Sequence, residues 1–273
     1  ICEFNPFHNG HKYLLESAKN VLKEPVIAIM SGSFTQRGEV AVCDKFVRAK
    51  SALENGADLV LELPVVFSLS GAEGFAKAGV AIASAFDCTN HLAFGSESGD
   101  CELLKKSANA VCDERVQALV RDGMKNGGYY PRELENAVKT VFGDEISSVL
   151  CEPNNILGVE YIKALNGTGV EPFSVARTGA AHDSRIAGEG FASASHIREM
   201  LRNGENAKKY APYIPDEITF PENLDRPLLY RLRTMTREDI AKLPDVGEGL
   251  ENRIADAAVR CSTSSEIADL VKL

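Results

Sequence analysis

No run of apolar residues in this 273-residue chain approaches the ~20 needed to cross a bilayer as a helix, so a membrane protein is not expected. The residues present show no basic stretch leading into an apolar one, so no secretory signal is expected among them. Cysteine is present but not patterned. Positions 2, 43, 88, 101, 112, 151 and 261 form no C-x-x-C pair and no Cys/His group at zinc spacing. The expectation is reduced thiols in a cytoplasmic protein. Positive charge is in short supply: 30 Lys and Arg stand against 39 Asp and Glu, a formal net charge of -9. That argues against non-specific coating of nucleic acid and leaves a local basic patch open. There is no internal repeat, no low-complexity tract and no obvious Ser/His/Asp triad. What remains, 44% hydrophobic and 25% charged residues, is the balance of an ordinary globular protein of one large or two smaller domains.

Short apolar runs alternate with helical spacing through the first half. Val26–Met30, Asp58–Leu63 and His91–Phe94 read as strands, with Pro172–Val175 as one more. Between them, His11–Leu22, Asp44–Asn55 and Gly71–Ala85 have helical periodicity, and further helices are expected at Asn155–Leu165 and, from a Ser cap, at Ser193–Leu201. Strands alternating with helices predict an α/β fold with a Rossmann-like, doubly wound parallel sheet covered on both faces. Ligands in such sheets bind beyond the carboxyl ends of the strands. After Ala211, Pro215 and Pro221 interrupt regular structure and a helical texture follows. The predicted division is 1–210 for a nucleotide domain and 211–273 for a helical C-terminal region.

The stretch that follows the first two residues carries the most chemistry: Glu3-Phe4-Asn5-Pro6-Phe7-His8-Asn9-Gly10-His11. Pro6 stiffens a loop, and a helix is expected to begin near Gly10, where a missing side chain lets the backbone approach a ligand. A helix N-terminus offers free N–H groups and a positive dipole end to a phosphate. His8 and His11, three apart, can face one bound group and stabilise charge that develops during transfer. Two surface histidines, or half of a metal site, are the alternatives. No third ligand lies nearby in sequence, so no protein-bound metal is expected. Only Ile1 and Cys2 precede the motif, fewer than the ~5–6 residues of an average strand. The N-terminus is therefore expected to be incomplete, and the stop at Leu273 directly after a helical stretch suggests the same of the C-terminus.

N-P-F-H-N-G-H resembles the H-x-G-H signature of the nucleotidylyltransferase superfamily. Taken together, EFNPFHNGH, MSGSFTQRGE, NGADLVLELP, FGSES, PNNILGVEY and SASHIR resemble the bacterial tRNA-Met cytidine acetate ligase family, over most of the chain. The resemblance implies an enzyme that activates acetate with ATP, Mg2+ accompanying the nucleotide. Acetyl-adenylate and pyrophosphate form first, and the acetyl group then passes to the exocyclic amine of the wobble cytidine in elongator tRNA-Met. It implies that the loop and helix Cys2, Glu3, Phe4, Asn5, Pro6, Phe7, His8, Asn9, Gly10, His11, Lys12, Tyr13 and Leu14 wrap ATP, with His8 and His11 as the catalytic pair. It places Gly95, Asn154 and Arg177 at the nucleotide. Ser195 and Arg198, in a variant of the superfamily's ISSTxIR signature that departs from it at Ala192 and Ala194, fall on the phosphates. Arg37, in the loop after the first strand, is a candidate for the acetate carboxylate. Glu62 is more simply a structural group. Arg226, Arg231 and Arg233, with Arg237 and Tyr230, are the candidate tRNA contacts.

Two other readings share some of these features. A nucleotidylyltransferase acting on a small phosphorylated coenzyme precursor would use the same histidines and helix arginine. A nucleotide-binding module without catalysis would have no need of both His8 and His11.

Overall fold

The computed structural model describes residues 1–36, 38–177, 190–247 and 249–272. Its elements run α1 (Asn9–Leu22), β1 (Ile27–Ser31), α2 (Lys45–Glu54), β2 (Leu59–Leu63), α3 (Val65–Ser68), α4 (Ala72–Ser84), β3 (His91–Ser96), α5 (Cys101–Cys112), α6 (Glu114–Lys125), α7 (Tyr130–Phe142), α8 (Asp144–Ser148), α9 (Pro153–Leu165), β4 (Glu171–Ala176) and α10 (Ala194–Arg202). After these come α11 (Asp225–Thr234), α12 (Arg237–Ile240), α13 (Leu250–Arg260) and α14 (Ser264–Lys272). The chain separates into two compact units, Ile1–Glu217 and Ile218–Leu273.

The apolar runs all become parallel strands. β1 pairs with β2 from Ile27–Leu59 to Ser31–Leu63, and β3 with β4 from His91–Glu171 to Ser96–Ala176. Cys2 adds to the other edge of β1: its N–H donates to Ile29 O at 2.8 Å, and Ser31 N–H donates to Cys2 O at 3.0 Å. Among the described residues the strands thus form two parallel pairs rather than one continuous sheet. Nor are all of them covered on both faces. β1 is nearly all buried, β3 alternates, and Leu59 of β2 remains 42% exposed. An apolar run is therefore a reliable sign of a strand here and a poor sign of two-sided burial.

Local chemistry explains the helix limits. Asp44 caps α2 by accepting from Phe46 N–H at 2.7 Å, Asp100 caps α5 through Glu102 and Leu103 N–H, and Ser193 caps α10 through His196 N–H at 3.2 Å. One buried cluster joins β3, α4, α5 and α9 through Phe75, Leu92, Phe94, Leu104 and Val159. At Gly158, a Cβ would stand 2.8 Å from Phe94 Cε2, so glycine lets α9 lie against β3. A second cluster puts Phe4 and Phe7 under α1 with Leu15, Met30 and Ala52.

Arg48 on α2 is 1% exposed and meets no carboxylate among the described residues. Its guanidinium donates instead to four carbonyls: Glu3 O at 2.5 Å, Ser31 O at 3.2 Å, Cys43 O at 3.3 Å and Gly32 O. One buried cation so ties together the motif loop, the end of β1 and the start of α2. In the second unit, α11, α13 and α14 close around Leu229, Ala257, Ala258, Cys261 and Ile267.

Candidate active site

β3 and β4 point their carboxyl ends at one cleft of about 330 Å3 in the first unit, which Cys2, Glu3 and, from the loop after β1, Thr35, Gln36 and Glu39 also line. Fourteen positions marked out from sequence line it: Cys2, Glu3, Phe4, Asn5, His8, Gly10, His11, Tyr13, Leu14, Gly95, Asn154, Arg177, Ser195 and Arg198. They come from segments as far apart as residues 2 and 198, and the strand ends bring them together.

The two imidazoles stack with centroids 3.7 Å apart and planes 22° from parallel. His8 is the N-cap of α1, and its Nδ1 accepts from Gly10 N–H at 3.1 Å. His11, one turn on, reciprocates: its Nδ1 accepts from His8 N–H at 3.2 Å. The pair is therefore a capping box built from histidines. With each Nδ1 lone pair committed to a backbone N–H, the ring proton of the neutral imidazole must sit on Nε2. Burial, then the charges of Arg177 and Arg198, push the His8 pKa down to about 3. Burial, His8 and Arg177 push His11 well below its usual value. Both rings are therefore neutral at pH 7, each a fixed Nε2–H donor. Gly10 serves this arrangement directly. A Cβ there would fall 2.9 Å from His8 Cε1 and 3.0 Å from its Nδ1. The sequence suggested a ligand in that space; the structure puts the His8 ring there.

Phe4 has a left-handed φ of 49°, rare for an aromatic residue, and is held by edge contacts of its ring with Phe7 and His11, both at 4.9 Å. On the facing wall, Ser195 and Arg198 project from the first turns of α10. Ser195 Oγ lies 3.1 Å from Ser193 Oγ, and Arg198 Nη1 donates to Asn5 O at 2.8 Å. Arg177 leaves the end of β4 with its backbone N–H on Ser96 O, and its guanidinium has no partner among the described residues. Gly95 has an ordinary φ, and a Cβ on it would meet only Arg177 Cγ at 3.6 Å and Val175 O at 3.9 Å. No protein contact demands glycine there, so its bare face serves the cleft. Asn154 is not an N-cap. It lies one residue inside α9, and its amide donates to Glu97 Oε1 at 2.6 Å, while Glu97 Oε2 takes Asn155 N–H at 2.8 Å.

Residues 1–273 match the HIGH Nucleotidyl Transferase family. The tRNA(Met) cytidine acetate ligase of Caldanaerobacter subterraneus subsp. tengcongensis is 39% identical over 294 residues, which take in all of this chain and 72% of the relative. The tRNA(Met) cytidine acetate ligase of Thermosipho africanus is 34% identical, with 69% of its length covered. This chain belongs to the tRNA(Met) cytidine acetate ligase family. The crystal structure of apo Thermotoga maritima TmcAL (form I) superposes with a TM-score of 0.91 at 33% identity, over 100% of this chain and 70% of that one. The form bound with alpha-thio ATP superposes with a TM-score of 0.89 at 34% identity, covering 69% of that chain. The expected α/β fold is thus that of the family.

Not every position expected of a tRNA(Met) cytidine acetate ligase family member reaches the cleft. Pro6 and Phe7 are buried beneath it. Asn9 is a strap: its amide donates to Gly190 O at 2.8 Å and Lys209 O at 3.0 Å, and its backbone N–H to Tyr210 O. Lys12 points along α1 to Glu16 at 4.0 Å. Glu62 pairs with Lys45 at 2.6 Å, and Asn155 is buried with its oxygen on Ser98 N–H. Arg37 lies outside the described residues. Thr35, Gln36 and Ser193 also line the cleft, whereas Tyr161 and Phe191 were not singled out from sequence. Glu97 was within the FGSES motif, but its partners lie 57 and 58 residues away and left no local mark.

In the second unit the arginines divide. Arg233 donates to Ala258 O and Cys261 O, both at 2.8 Å, and closes the C-terminal end of α13. Arg237 is bound to Asn252 and Asp256. Arg226, Tyr230 and Arg231 are exposed on α11, with Tyr230 72% accessible. Among the described residues no three His, Cys, Asp or Glu side chains gather as a metal site, and no helix is long and apolar enough to cross a membrane.

Proposed function

We propose that this chain is an ATP-dependent acetate ligase that makes acetyl-adenylate and pyrophosphate, then acetylates the exocyclic amine of the wobble cytidine of elongator tRNA-Met. The observation that carries the reading is the stacked pair of neutral imidazoles at a helix N-terminus, in one cleft with Arg177 and Arg198. Its relatives are named for this activity, and one of them was crystallised with alpha-thio ATP.

The first step is in-line attack of acetate on the α-phosphorus. Such a displacement requires positioning and charge neutralisation rather than a protein nucleophile. The Nε2–H donors of His8 and His11 face the phosphates where charge builds as pyrophosphate leaves. The N-terminus of α10, with Ser195 and Arg198, takes the outer phosphates, and Arg177 supplies a second cation. The adenosine lies over Gly95, beside Asn154. Mg2+ arrives with ATP on its phosphates. The Thr35–Glu39 side of the cleft receives acetate, with Arg37 as its carboxylate partner. Residues 1–210 perform the ATP and acetate chemistry, and 211–273 present Arg226, Tyr230 and Arg231 to RNA in the cytoplasm.

ATP–pyrophosphate exchange tests this reading. Exchange that requires acetate, followed by acetylation of tRNA-Met, is expected. Exchange dependent on another acid or on a small phosphate would replace it with the coenzyme-precursor reading, and ATP binding without exchange with the binding module.

A further inference from the structure

The two steps of the proposed reaction differ in one respect that the cleft answers. When acetate attacks ATP no proton changes hands. When the cytidine amine attacks the acetyl carbon, an N–C bond forms and the C–O bond to the phosphate breaks. AMP then departs with that electron pair, and one proton must leave the nitrogen.

Seven side chains with proton-accepting chemistry line the cleft among the described residues: Cys2, Glu3, His8, His11, Tyr13, Glu39 and Tyr161. Tyr13 is 37% exposed, its ring edge-on to Phe191, and no described residue orients its hydroxyl. The histidines are committed as donors, because each Nδ1 already accepts a backbone N–H and each Nε2 holds the proton. Burial and neighbouring negative charge keep Tyr161 protonated, its pKa well above 10, and burial pushes the Cys2 thiol up to about 12. Two carboxylates remain. No described residue bonds the Glu39 carboxylate; only its backbone carbonyl is engaged, by Thr35. Glu3 is held twice. Its Oε1 accepts Gln36 N–H at 2.7 Å, and its backbone carbonyl is gripped at 2.5 Å by the buried Arg48. That leaves Oε2 without a partner among the described residues, on the loop that carries His8 and His11, with a buried cation beneath to offset its charge near an anionic substrate.

Resting on the acetate ligase reading, we infer that Glu3 is the general base of the acetyl-transfer step, its carboxylate taking the proton from the cytidine amine as AMP leaves. The geometry meets the requirement of general-base catalysis for a preoriented acceptor, and such catalysis contributes roughly 10²–10⁴-fold.

The test separates the steps in the intact protein. Acetate-dependent ATP–pyrophosphate exchange reports the first. Single-turnover transfer from preformed acetyl-adenylate to unmodified tRNA-Met reports the second. Glu3→Gln is expected to slow transfer by about 100-fold or more, at least tenfold beyond any loss of exchange, with Glu3→Asp recovering part of the transfer. Equal losses in both steps, transfer within threefold of wild type, or a Glu39→Gln variant showing the step-selective loss instead would overturn the inference. A wild-type protein with neither acetate-dependent exchange nor transfer would overturn the acetate ligase reading, and this inference with it.

Discussion

Replacing Gly10 with alanine isolates what the histidine box does from what holds the fold. The new Cβ would be built 2.9 Å from His8 Cε1 and 3.0 Å from Nδ1, closer than carbon atoms sit, with the ring already packed between backbone and His11. The cheapest relief is rotation of the His8 ring, which breaks its 3.1 Å bond from Gly10 N–H and unstacks it from His11. Losing a helix cap costs about 0.5–2 kcal/mol, while alanine in place of glycine near the start of α1 returns up to about 1 kcal/mol. The two nearly cancel. For a protein of this size a residual 1 kcal/mol moves the melting temperature by about 2–4 °C. Catalysis has no such compensation, because a displaced Nε2–H donor is worth roughly 10²–10³ in rate. The expectation is acetate-dependent exchange reduced at least 100-fold in a protein that melts within a few degrees of wild type. Exchange within threefold of wild type would refute the assignment of the His8 ring to the phosphates. A melting temperature far below wild type would show that the box is scaffolding first.

Other perturbations probe the remaining walls. Gly95→Leu should raise the KM for ATP at least tenfold with little change in melting temperature, since only the cleft faces that position; unchanged KM would remove the adenosine from Gly95. Both histidines titrate below their unfolded values, His8 down to about 3, so below pH 6.5 the unfolded chain binds protons that the folded chain excludes. Stability is fully present above pH 6.5 and falls as pH drops, by up to ~1.4 kcal/mol per pH unit for each ring. Urea unfolding at pH 7 and pH 5 should show a smaller loss in His11→Asn than in wild type; equal losses would contradict the neutral state of the buried His11 ring. Arg226→Glu with Arg231→Glu should weaken tRNA binding, steeply so at low salt, and spare exchange. Arg233→Ala should instead lower the stability of the second unit, because Ala258 O and Cys261 O lose their donor; circular dichroism melts distinguish the two outcomes.

Short-range features of this chain are written in its sequence, and long-range ones are not. The strands at β1, β3 and β4, the Ser193 cap and the His8–His11 pair were legible because each depends on groups within about four residues. An apolar run, a serine at a helix start and an i, i+3 spacing carry their meaning locally. The expected α/β fold with parallel strands is that of the family, while which strands pair, β1 with β2 and β3 with β4, is settled between segments far apart. From sequence Arg233 stood with Arg226 and Arg231 as a candidate tRNA contact. Its role is set by carbonyls 25 and 28 residues away.

By itself, then, the chain determined the order of its elements and the chemical type of its phosphate loop, since backbone sterics and side-chain periodicity act over one or two turns. Only the tertiary structure decided that His8 and His11 share a fixed tautomer, that Arg48 holds three segments by their carbonyls and that Glu97 carries Asn154. Those contacts exist because packing closes loops dozens of residues long, and no short-range pattern records where such loops end.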